Sequence, residues 1–99
     1  MVVEMLTFQV DPADQPTWLA VEESVWTEYL TRQPGFARKQ VWRDVDRRDL
    51  ITAVIWWESK DLWKRISPAD VEAVDARMGE WFRESVMTEF EVLGDYLPS

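Results

Sequence analysis

The chain contains no His, no Cys and no Asn. Without imidazole there is no histidine base, proton shuttle or metal ligand. Serine and cysteine triads fall with it. Zinc sites, which draw on His and Cys, fall too, so no metal site is expected. Lack of Cys also removes disulfides and leaves the compartment open, with the cytoplasm as the default expectation. Positive charge is scarce: eleven Lys and Arg stand against nineteen Asp and Glu, for a net charge of −8. That balance argues against a phosphate-binding surface, so no nucleic-acid partner is expected. The densest charge run, "RDVDRRD" at 43–49, mixes both signs and reads as a solvated turn. No apolar run approaches the ~20 residues of a membrane span, so no membrane partner is expected. The opening "MVVEMLTF" has neither a basic region nor a long apolar core and is not expected to be a signal peptide.

Tryptophan is what the chain has in excess. There are seven, at 18, 26, 42, 56, 57, 63 and 81, where ordinary composition would give roughly one. Ninety-nine residues make a single domain, 1–99. A chain this short buries a modest share of its surface, so pairing with a second copy is a natural way to complete a core.

Hydrophobic periodicity orders the elements. "VVEMLTFQV" at 2–10 is β-branched and aromatic and reads as a first strand. Its even positions, Val2, Leu6, Phe8 and Val10, are apolar except for Glu4. A helix follows, with Asp11 or Asp14 able to cap it, Asp14 favoured for its regular part, and both prolines in its first turns. Trp18, Val21, Val25, Trp26 and Tyr29 form its apolar stripe, and Glu22, Glu23 and Glu28 fall mostly on the other side. Pro34 ends it, Gly35 permits the turn, and Phe36 plugs the start of strand two into the core. Strand two spans 36–45, with Phe36, Arg38, Gln40 and Trp42 expected on one face. Strand three, "DLITAVIWWES" at 49–59, is apolar on both faces and therefore central. Trp56 and Trp57 must point to opposite sides of it. A short helix follows Ser59, a longer one is capped by Ser67 with Pro68 first, and strand four is expected over 85–97.

The order β-α-β-β-α-β predicts an α+β, ferredoxin-like fold: a four-stranded antiparallel sheet with helices on one face. The second apolar face of strand three then needs a cover. The candidate is a second copy, packed sheet to sheet into an α+β barrel.

Pro34-Gly35-Phe36 after helix one, and Trp57 with Ser59 at the end of strand three, carry a resemblance that extends over nearly the whole chain. The sequence resembles the dimeric α+β barrel superfamily, and within it the antibiotic-biosynthesis-monooxygenase-like group. The resemblance implies a homodimer of ferredoxin-like protomers. It also implies an activity drawn from a group that includes cofactor-independent monooxygenases, haem-degrading enzymes and isomerases. The haem-degrading branch uses an Asn on strand one, a Trp at the end of strand three and a His on the last helix. Trp57 matches the Trp, whereas Glu4 and Asp75 stand near the other two positions.

Glu4 is the leading candidate. A carboxylate on an apolar strand face is costly to bury unless paired or protonated. It is either a general base with a raised pKa or a strand-end carboxylate that reaches solvent or pairs with an Arg. Asp75, at the edge of the last helix's apolar stripe, either shares a proton with Glu4 or pairs locally with Arg65, Arg77 or Arg83. The resemblance assigns Trp57 to the pocket wall. Trp26 and Trp63 are candidate walls for a planar ligand, and the other helical aromatics are core. Two functions follow as expectations. One is a cofactor-independent, monooxygenase-like oxidoreductase acting on an apolar aromatic substrate between sheet and helices, with catalytic Glu4 and Asp75 and no cofactor. The other is a non-catalytic dimeric binding protein for a small apolar ligand or partner.

Overall fold

Strand β1 (Val2–Gln9) lies between β3 (Leu50–Trp57) and β4 (Ser85–Glu91), and β2 (Phe36–Arg43) flanks β3. The computed structural model describes residues 1–99. The sheet order is β2-β3-β1-β4, antiparallel throughout, which is the ferredoxin-like arrangement expected from the element order. The two most apolar strands are therefore the central ones.

The helical layer begins with a 3₁₀ turn (Pro12–Asp14), followed by α1 (Gln15–Glu22), a π-helical turn (Glu23–Thr27) and α2 (Glu28–Thr31) in one unbroken run. The regular helix α1 begins directly after Asp14, as expected, but the side chain that caps the run is Asp11. Asp11 is extended at the run's start, and its Oδ1 accepts from the Ala13 amide at 2.9 Å. Asp14 already has helical φ and ψ and makes no side-chain cap bond. Gln15, buried beside it, donates to the carbonyls of Val10 and Arg48 and accepts from Arg43, tying the helix start to the β2–β3 turn. Gly35 sits at φ +84, and a Cβ there would lie 2.6 Å from Leu62 Cβ. After β3 come α3 (Lys60–Trp63), capped by Ser59, and α4 (Pro68–Arg77), capped by Ser67. A 3₁₀ turn (Gly79–Trp81) leads into β4.

Two strand expectations are corrected. Strand four stops at Glu91 instead of reaching Leu97, because its partner runs out: Glu91 pairs with Val2, the first residue of β1. A register shift between Phe36 and Arg38 also separates side chains expected on one face. Phe36 turns to the helix side and meets Trp57 edge-on at 6.1 Å, whereas Arg38, opposite Trp56, stacks its guanidinium over that ring at 5.0 Å.

On the helix side, Val10, Trp18, Val25, Ile51, Val74 and Met78 form one buried cluster, and Leu30, Ile55, Trp57 and Trp63 form another. The opposite sheet face carries Val3, Met5, Val54 and Trp56, with the exposed Val86 and Phe90 of β4 beside them. No helix of this chain lies across it. No helix is long and apolar enough to cross a membrane.

Candidate functional site

A cavity of about 820 Å³ opens between the helix-facing side of β1 and β4 and the layer formed by the first helical run, α3 and α4. Leu6, Phe8, Ala53 and Met87 supply its sheet side, and Trp26, Leu30 and Trp63 supply its helical side. Its walls are largely apolar, with a few convergent polar groups, the usual character of a small-molecule site.

Glu4 reaches this cavity because β1 alternates: Val2, Glu4, Leu6 and Phe8 all face the helices. It stands in a cross-sheet rung that runs Lys39, Ile55, Glu4, Glu89. The Trp57 indole donates to its Oε1 at 3.2 Å. Burial pushes the Glu4 carboxyl above its ordinary value. The Trp57 hydrogen bond and the ammonium groups of Lys64 and Lys39 pull the other way without cancelling it. A buried carboxylate held this way is a stronger base than one in water.

Asp75 also lines the cavity, and its partner is neither Glu4 nor an Arg. Its Oδ1 accepts from the Trp26 indole at 2.9 Å. Burial raises its pKa, and the Trp26 bond offsets part of the rise. Proton sharing between Glu4 and Asp75 is therefore replaced by two separate tryptophan–carboxylate pairs. Trp26 and Trp63 both line the cavity, and Trp57 does not. It is fully buried behind Glu4, between Phe36 and the second core cluster, and acts on the cavity only through its N–H.

Sequence reasoning missed a third polar station. Helical spacing puts Glu22 mostly on the side away from the apolar stripe, yet it is 5% exposed and lines the cavity. The π-helical turn explains the change. Its wider spacing brings Glu22 and Thr27, five residues apart, onto one side, where Thr27 donates to Glu22 at 3.4 Å. Lys39, reaching from β2, donates to Glu22 Oε1 and to Thr27 Oγ1. A strict 3.6-residue period hides this triad, and nothing in the local composition marks the extra residue in the turn. At the cavity mouth, Lys64 donates to Glu89 at 3.2 Å and lies 3.8 Å over the Trp63 ring. No cluster of Asp and Glu has the geometry to hold a metal ion.

Solved structures with this architecture are known. A monooxygenase from the gene ActVA-Orf6 of Streptomyces coelicolor, in complex with nanaomycin D, superposes with a TM-score of 0.77 at 21% identity, over 99% of this chain and 92% of that one. SnoaB, a cofactor-independent oxygenase from Streptomyces nogalater, gives 0.68 at 22% identity over 99% and 97%. The haem degrader MhuD from Mycobacterium tuberculosis, with two haems bound in its active site, gives 0.73 at 24% identity over 97% and 99%. At these identities the likeness is one of fold. No curated protein matches the sequence. The sequence itself is more specific: residues 1–67, from β1 through α3 and so including Glu4, Glu22, Trp26, Lys39 and Trp57, match the family described as antibiotic biosynthesis monooxygenase. A match over two thirds of the chain, on the fold that the strands and helices build, makes this chain a member of the antibiotic biosynthesis monooxygenase family.

Proposed function

We propose that this chain is a cofactor-independent monooxygenase acting on a quinol-like aromatic held in the cavity between sheet and helices. One observation carries the reading: a buried carboxylate with a raised pKa, Glu4, is fixed by the Trp57 indole at the edge of an apolar cavity of about 820 Å³. Glu4 is the base that removes the acidic proton of the substrate. With an anthrone-type substrate the electron pair of the resulting carbanion forms a C–O bond to dioxygen, giving a hydroperoxide once the peroxide oxygen is protonated. Loss of the second ring C–H proton then forms the C=O bond and breaks the O–O bond, so that one oxygen atom becomes the new ketone and the other leaves as water. Trp26 and Trp63 are the walls against which the ring lies, and Asp75 orients Trp26. We also assign the open sheet face, with Trp56 and Phe90, to a second copy of this chain. Haem fits less well. The chain offers no imidazole, and the carboxylates of the cavity would face the propionates of the porphyrin.

Oxygen uptake with anthrone, corrected for autoxidation, tests the proposal. Uptake should track protein concentration and fall in Glu4→Gln. Wild-type rates in that variant remove Glu4 from the mechanism. The lack of His, Asn and Cys favours a second reading, a binding protein without turnover. Both readings predict tryptophan quenching on ligand addition, and only the enzyme depletes the ligand.

A further inference from the structure

The charges around the cavity are one-sided. Four carboxylates line it: Glu4, Glu22, Glu72 and Asp75. One cation, Lys64, lines it too, and it is already engaged by Glu89 and by the Trp63 ring. Lys39, the cation behind the wall, is spent on Glu22 and Thr27. An anionic ligand would therefore meet like charge with no free partner, and would lose its hydration as well. An uncharged ligand bearing O–H or N–H groups would meet acceptors at several points of an otherwise apolar wall.

We propose that the cavity selects by charge, accepting uncharged aromatics that carry hydrogen-bond donors and rejecting carboxylated ones of the same shape. This rests on reading the cavity as an aromatic small-molecule site, and adds to it the class of substrate admitted. Substrates are then phenolic aromatics without a carboxylate. A reaction that supplies them must have removed, esterified or lactonised any acid group beforehand.

A matched pair of probes isolates charge from shape: naphthalene-2-carboxamide and naphthalene-2-carboxylate, titrated calorimetrically at pH 7.5 and low salt. The amide should bind at least tenfold more tightly than the acid. Glu72→Lys, at the exposed rim, should narrow that ratio severalfold through tighter binding of the acid. Three results overturn the proposal: affinities within threefold of each other, a ratio unmoved by Glu72→Lys, or no binding of either probe at millimolar concentration. The oxygenase reading fails separately. If the charge ratio holds and anthrone consumes no oxygen, only the oxygenase is lost. If oxygen is consumed and the ratio is one, only the charge selection is lost.

Discussion

Replacing Lys39 by Met should destabilise the protein by breaking a buried ion pair. Lys39 and Glu22 form an ion pair whose side chains are 5% and 6% exposed. Removing one partner of such a pair leaves an uncompensated charge, which typically costs about 3–5 kcal/mol. Thr27, which loses its Lys39 donor, keeps its own bond to Glu22 and adds little. The expected loss at pH 7 is therefore about 3 kcal/mol, or a fall in Tm of roughly 15 °C for a domain of this size.

Chemical denaturation of wild type and Lys39→Met at pH 7, at one fixed protomer concentration, reads the loss. The fixed concentration matters because self-association shifts apparent stability. The double variant Glu22→Gln with Lys39→Met should recover most of the loss, since neutral replacement of both partners removes the stranded charge. A cost under about 1 kcal/mol at pH 7 would show that the pair is hydrated in solution and refute the reasoning.

Three further outcomes are expected. Glu4→Gln should lower anthrone turnover by about 10²–10⁴-fold, the usual contribution of a general base. Because burial raises the Glu4 pKa from 4.5, wild type loses stability as pH rises through the folded value, so the variant should be the more stable at pH 8 and equal to wild type near pH 4. A turnover profile for wild type that is flat from pH 4 to pH 8 would contradict Glu4 as the base. Gly35→Ala should cost about 2 kcal/mol in denaturant melts, from positive-φ strain and the 2.6 Å approach to Leu62 Cβ; an unchanged midpoint would mean that the turn relaxes freely. Light scattering at micromolar concentration should give twice 11.8 kDa, and Trp56→Asp should shift it to the monomer; a monomeric wild type would undo the assignment of the open sheet face.

The fold was largely legible because its signals are periodic and local. Alternation placed Glu4 on the helix side of β1, and the two apolar faces of β3 made it central. Both inferences depend only on the two-residue repeat of a strand. What failed were places where one residue is added or a partner is missing. The shift near Ala37 sends Phe36 and Arg38 to opposite faces, the π turn carries Glu22 inward, and β4 ends where β1 begins. None of these is written in hydrophobic periodicity: the register shift and the strand end are decided by strand pairing, and the turn of Glu22 by backbone spacing within the helix.

The same distinction runs through the cavity. Its apolar walls, Trp26 and Trp63, follow from helical spacing, but its polar groups are defined by partners far along the chain. Trp57 lies 53 residues from Glu4 and Asp75 lies 49 from Trp26. The family resemblance implies Trp57 as a wall. In the fold, Phe36 and the second core cluster fill the space in front of its ring, and only the indole N–H remains to act on the cavity. A tryptophan so placed cannot be exchanged for another aromatic without loss: Trp57→Phe keeps most of the packing and removes the donor from Glu4. Such a change should raise the Glu4 pKa further, because the bond it deletes is the largest of the effects that lower it. The acidic limb of the turnover profile should then move to higher pH with the fold intact, which separates Trp57 as a positioning residue from Trp57 as mere core.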